Sequence, residues 1–179
     1  MSPNPLLPRP GPLRGLLPYL GLGLLFFLAD RLSKAWAATY LAERGNTSLS
    51  TWLHITEAHN TGIGLGLWQG TGFWVGWLTV AIIGGLAIWL YRVDPQHRLL
   101  RLGLAMMMGG AAGNMVDRLR DGVVLDFIQV SFWPRVFNVA DVAIRLGAVL
   151  VVAGVVWGER RLRARKEEHA LAVPQTGSE

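Results

Sequence analysis

TGFWVGWLTVAIIGGLAIWLY, Thr71 to Tyr91, runs for 21 residues without a charge. Hydrocarbon satisfies no exposed backbone group, so an uncharged run of about 20 residues reads as a membrane-spanning helix. Working outward, three more apolar blocks appear. One runs from Leu16 to Ala38, where the core LLPYLGLGLLFFLA gives way to Asp30, Arg31 and Lys34. Another, Leu99 to Val116, ends at Asn114 and Asp117, and the last, Val136 to Trp157, carries Asn138, Asp141 and Arg145 near its start. Together they predict an α-helical integral membrane protein with four transmembrane helices. A basic start and the AWA at Ala35 to Ala37 also allow a cleavable signal peptide, but the first block is longer than a usual signal core and charges interrupt it before the AWA.

A chain of 179 residues holds one domain. The net charge is +5, and the location of the basic residues decides its meaning. Arg9 and Arg14 precede the first block, Arg92, His97, Arg98 and Arg101 separate the second from the third, and Arg160, Arg161, Arg163, Arg165 and Lys166 follow the fourth. In a four-span chain these places share one side, so both termini are expected in the cytoplasm and no nucleic acid is implied. Trp36, Trp68, Trp74 and Trp133 fall near the outer ends of the blocks, and Trp89 and Trp157 near the inner ends, as in interfacial aromatic belts. There is no cysteine, which excludes disulfides, thiol catalysis and Cys-ligated zinc. Residues 1–14 are rich in proline and expected to be a flexible tail, while 159–179 read as a basic, then polar tail, irregular from Glu167. The segment at 46 to 70 reads as short strands and turns.

The ionisable and amide residues of the blocks gather at one depth. Asp30, Ser33 and Lys34 share a helix face, as do Asn114, Asp117 and Arg118, and Asn138 with Asp141. Asp126 lies in the short link between the last two groups. Gly109, Gly110 and Gly113 sit one turn deeper on the third block, where small residues let a neighbouring helix approach. Any one of these polar faces could serve only to hold helices together. Carboxylates converging from different elements at one depth can do more, since two that share a proton form an acid–base pair and one is pushed towards the neutral form. Asp117, next to Arg118, reads as half of a charge pair positioning the third span.

Four segments resemble the lipoprotein signal peptidases, or signal peptidase II. DRLSK (Asp30 to Lys34) fits their D-x-x-[ST]-K, and NTGIGLG (Asn60 to Gly66) resembles N-x-G-x-A-F-G. GGAAGNMVDRLRDGVVLDFI (Gly109 to Ile128) resembles G-x-x-G-N-x-x-D-R followed by V-x-D-F-I, and FNVADVAI (Phe137 to Ile144) fits F-N-x-A-D-x-x-I. The match spans residues 15 to 158. It implies a four-span peptidase domain there, with a small extracytoplasmic β-structured cradle in a bacterial inner membrane. It further implies an aspartic endopeptidase, monomeric and without metal or cofactor, acting among membrane lipids on diacylglyceryl-modified prolipoproteins and cutting just before the lipid-modified cysteine. The catalytic pair carried over is Asp126 and Asp141, with Asp30, Lys34, Asn60, Gly110, Asn114, Asp117, Arg118 and Asn138 in supporting roles. Gly64 and Leu65 depart from the family's Ala and Phe, and Arg145 is an added charge that either pairs with Asp141 or points elsewhere.

Other chemistries fit the residues less well. Ser33 and Lys34 are adjacent and do not face one another on a helix, against a Ser–Lys protease. HITEAH (His54 to His59) puts its second histidine one place late for H-x-x-E-H zinc ligation, and NTGIGLG lacks the G-x-G-x-x-G spacing and its strand–helix setting. A small proton-coupled carrier would also use intramembrane carboxylates. It would place them along a path, whereas here they are confined to one interface.

Overall fold

The protein is described by a computed structural model covering residues 15–61 and 71–172, with side chains to 158. The tail of residues 1–14, the departures at Gly64 and Leu65, Trp68 and residues 173–179 lie outside the described residues. Helix α1 spans Leu17–Arg44, with a proline in its first turn, where a missing N–H costs nothing. It outruns the expected block by nearly two turns before Gly45, at φ 64°. Helix α2 spans Gly72–Arg92, α3 Arg98–Asp121 and α4 Val139–Ala172. The helix over residues 167–172 corrects the irregular tail expected from Glu167: EEHALA is made of good helix formers and continues a helix already begun. Among the described residues, three stretches are long and apolar enough to cross a membrane: Gly72–Arg92, Arg98–Asp121 and Val139–Gly158. In α1 the apolar run meets Asp30, Arg31 and Lys34 within a span's length.

Helix α3 is the centre of the bundle, and α1, α2 and α4 each pack against it. Glycines make these contacts close. A Cβ on Gly109 would stand 2.2 Å from the Gly23 carbonyl oxygen, and one on Gly103 2.5 Å from that of Gly147. Backbones at this distance gain dispersion contacts where burial from water drives nothing, as between helices in lipid.

The links between the helices form an antiparallel sheet in the order β1-β2-β3-β4, made of Thr47–Ser48, Leu53–Asn60, Val124–Val130 and Val136–Phe137. This bears out the strand reading of residues 46–60. The last turns of α1 carry the sheet: Ala37 and Leu41 pack with Ile55 and Phe127 in a small core, and Trp36 meets Phe127 edge-on at 6.5 Å. Side chains alternate along a strand, so anchoring Phe127 sends the neighbouring Asp126 to the other face. The turn from α3 into β3 needs Gly122, whose φ of 72° is left-handed and strained for any side chain bearing a Cβ.

Candidate active site

All ten residues singled out from sequence are described, and eight of them are joined by hydrogen bonds and ion pairs where α1, β2, α3, β3 and α4 meet. Asn138 stands immediately before α4. Its Oδ1 accepts the N–H of Asp141 at 2.9 Å, a helix-capping bond to the third residue of the helix. That bond fixes the amide so that Nδ2 points the other way, donating to Asp126 Oδ1 at 2.6 Å and towards Asn114 Oδ1 at 3.2 Å. Asn114 in turn donates from Nδ2 to Asp141 Oδ1 at 3.0 Å. The two carboxylates are thus linked through two amides, each held in one orientation. Asn60 reaches Asp126 from the neighbouring strand, donating to Oδ2 at 3.3 Å. The register pairs Ala58 with Asp126, so Asn60 is the diagonal neighbour on the same face.

Behind this pair lies an ionic cluster. The Lys34 ammonium stands 2.8 Å from Asp30 Oδ2 and 2.7 Å from Asp117 Oδ2, and donates to Asn114 Oδ1 at 2.8 Å. The buried ammonium is thus met by one hydrogen bond and by the charge of two carboxylates, the compensation its burial requires. Arg31 donates to Asp117 Oδ1. Asp30, fully buried, accepts the backbone N–H of Ala140 at 2.9 Å. An aspartate of α1 and the Asn138 side chain together satisfy the second and third amides of α4, which would otherwise be orphaned. Gly110 and Gly113 make room for this. A Cβ at 110 would sit 2.5 Å from the Ala140 carbonyl oxygen, and one at 113 would sit 2.3 Å from Asp30 Oδ2.

The charge-pair reading of Asp117 gains two further partners, since its carboxylate also forms ion pairs with Arg31 and Lys34 of α1. Both of these pairings run between helices. Arg118 is buried at the same end and interacts with the charges of Asp141, Asp126 and Asp117. Arg31, missed as a site residue, could have been found as the second cation of the turn that holds Lys34. Arg145 does approach Asp141, at 3.8 Å from Oδ2 and over the Phe137 ring, but it is more than half exposed and the contact is screened. Ser33 donates to the Asp30 carbonyl oxygen in its own helix, and Lys34 is occupied elsewhere. His54 lies between Ser48 and Ser131, while His59 is nearest to Glu57.

Asp126 is the perturbed carboxyl outside the helices. It is 4% exposed, and burial first, then the charge of Asp141, push it up from its ordinary 3.8 to about 6, against the Asn60 and Asn138 hydrogen bonds and the Lys34 charge. In formal charge, Asp30, Asp117, Asp126 and Asp141 face Arg31, Lys34 and Arg118.

With this geometry in view, the family model described as Signal peptidase (SPase) II matches residues 22–157. The chain belongs to the signal peptidase II family. A lipoprotein signal peptidase of Moorella thermoacetica is 40% identical over 137 residues, 75% of this chain and 90% of the relative. One of Dichelobacter nodosus is 39% identical over 133 residues, 70% and 85%. Two bacterial membrane enzymes solved by the in meso method share the fold. One has a TM-score of 0.67 at 23% identity over 76% of this chain and 91% of the other, and the second 0.64 at 21% over 77% and 87%. Family membership makes the chain a membrane peptidase, and the apolar helices fit that setting.

Proposed function

We propose that this chain is an aspartic endopeptidase that removes the signal peptide from diacylglyceryl-modified prolipoproteins, cutting just before the lipid-modified cysteine. Asp126 and Asp141 are its catalytic pair. The observation that carries the reading is the joining of these two carboxylates, one on β3 and one on α4, through Asn138 and Asn114, with Asp126 pushed up to about 6. The names of the curated relatives supply the substrate class.

In the reaction, protonated Asp126 donates to the oxygen of the scissile carbonyl while ionised Asp141 takes a proton from water. The water oxygen bonds to the carbonyl carbon, giving a tetrahedral diol. Asp141 then returns its proton to the leaving nitrogen, the C–N bond breaks, and Asp126 recovers its proton from the diol hydroxyl. The products are a signal peptide ending in a carboxyl group and a lipoprotein beginning with a free amine. Asn138 and Asn114 keep both carboxylates in place throughout, and Lys34 fixes which way the Asn114 amide faces.

The same reading makes α1 a fourth crossing, with both termini cytoplasmic and the carboxylates at the extracytoplasmic surface. It is supported by the polar network at one end of the bundle and the arginines at the other. The test is incubation of the purified chain with a lipidated precursor peptide, read by mass spectrometry. Cleavage before the lipidated cysteine is expected, and it should be abolished by Asp126→Asn and by Asp141→Asn. Equal cutting of the unlipidated peptide, or full activity in both variants, would sink the proposal.

A further inference from the structure

At the opposite end of the bundle is an arrangement the peptidase reading leaves unused. Helices α1 and α2 each pack on α3 but scarcely touch each other. The gap is a groove of about 220 Å³, walled by Leu24 and Phe27 of α1 and Ile83 and Leu90 of α2, and floored by Gly109 and Ala112 of α3. Every lining side chain is apolar except that of Tyr19 at one end. Over the Tyr19 ring, 5.1 Å from its centre, lies the guanidinium of Arg101.

Arg101 is 4% exposed, yet among the described residues no carboxylate lies within ion-pair distance of it. Its Nη1 donates to the Gly15 carbonyl oxygen at a long 3.4 Å, and its Nε has no hydrogen-bond partner among the described residues. A buried cation so poorly met is costly. The position compounds the cost. Arg101 is in the first turns of α3 with Arg98, and that first turn holds no acidic residue to offset the positive end of the helix. The nearby Asp94 accepts the Gln96 N–H at 2.8 Å within its own turn. The site asks for an anion, and the groove beside it asks for hydrocarbon.

We propose that this end of the bundle binds one anionic glycerophospholipid of the leaflet away from the carboxylates, its phosphate at Arg101 and the α3 N-terminus and an acyl chain in the α1–α2 groove. The guanidinium presents paired donors to phosphate oxygens, and its charge favours a net-negative lipid over a zwitterionic one. This inference stands apart from the hydrolytic reading, and its test does not use activity.

The full chain in neutral detergent is offered phosphatidylglycerol and phosphatidylcholine with matched acyl chains, and bound lipid is read by native mass spectrometry. One phosphatidylglycerol should be retained with a preference of about tenfold, the scale of one charge-assisted contact. Arg101→Gln should bring the preference near unity, Arg101→Lys should leave it intermediate, and Ile83→Trp, which fills the groove, should lower retention of both lipids. Inorganic phosphate at the same concentration should not raise the melting temperature as phosphatidylglycerol does. Equal retention of the two lipids by the unmutated chain would overturn the proposal. So would phosphate alone giving the full stabilisation, which would mark a simple anion site, or an undiminished preference in a folded Arg101→Gln. Should Arg101→Gln fail to fold, the lipid competition on the unmutated chain and the Arg101→Lys variant still decide.

Discussion

Asp126→Asn should kill the enzyme and, at neutral pH, make it more stable. The native state pushes Asp126 from 3.8 to about 6. Above pH 6 the folded chain therefore carries a carboxylate that burial and Asp141 disfavour, and a rise of that size corresponds to roughly 3 kcal/mol. Asparagine removes that charge but accepts hydrogen bonds on only one oxygen. It can keep the Asn138 contact and loses the one from Asn60, which returns about 1–2 kcal/mol. The net is a gain of about 1–2 kcal/mol, or some 3–6 °C in melting temperature for a chain of this size. The sign follows from proton linkage. Between about 3.8 and about 6 the folded state holds a proton that the unfolded state has released, so this group's contribution to stability falls as pH rises through that window. The variant lacks the effect but has lost the Asn60 bond at every pH, so it should be the less stable chain near pH 4, overtake its parent as pH rises through that window and level off above about pH 6.5. Melting curves of both purified chains from pH 4 to 8 measure it. A variant less stable than its parent at pH 7.5, or a difference that ignores pH, would refute the buried-charge argument whatever the activity shows.

Three further outcomes are expected. Asp117→Asn breaks the buried contact with Lys34 and the part-buried one with Arg31 and should cost about 3–5 kcal/mol, leaving residual activity in whatever folds; a well-folded, inert Asp117→Asn beside an active Asp126→Asn would move the catalytic role to Asp117. Gly113→Ala puts a methyl against Asp30 Oδ2 and should lose about 1–3 kcal/mol by thermal melting together with most cleavage, whereas Gly84→Ala, with open space around it, should change neither. Chelators, thiol reagents and serine-directed acylating agents should leave peptide cleavage intact, and loss of activity to a chelator with recovery on added zinc would overturn the two-carboxylate chemistry.

The sequence made the site's membership legible because polar residues are conspicuous in apolar blocks and helical spacing assigns them to faces. Its wiring was less legible. Asp117 also pairs across to Arg31 and Lys34, and only the packing of α1 on α3 decides that. Asn60 meets Asp126 through a strand register that includes an irregularity between Ile55 and Ala58, which no spacing rule anticipates. The capping of Ala140 by Asp30 joins residues 110 positions apart and leaves no local trace. The overlong ends of α1 and α4 were missed because hydropathy measures what suits lipid, while α1 continues under the sheet and α4 continues on helix-forming polar residues.

The bond from Asp30 to Ala140 also sets an order of assembly. A polypeptide is made from its N-terminus, so α1 exists before α3 or α4 can meet it. Within α1 itself Lys34 has a counter-ion four residues back, in Asp30. The arrival of α3 adds Asp117 and Asn114 to the same ammonium. Only when α4 docks does Asp30 take up the Ala140 amide, and only then is Asp141 brought to Asn114. The network that joins Asp126 to Asp141 is therefore complete only when the last helix to be made has docked.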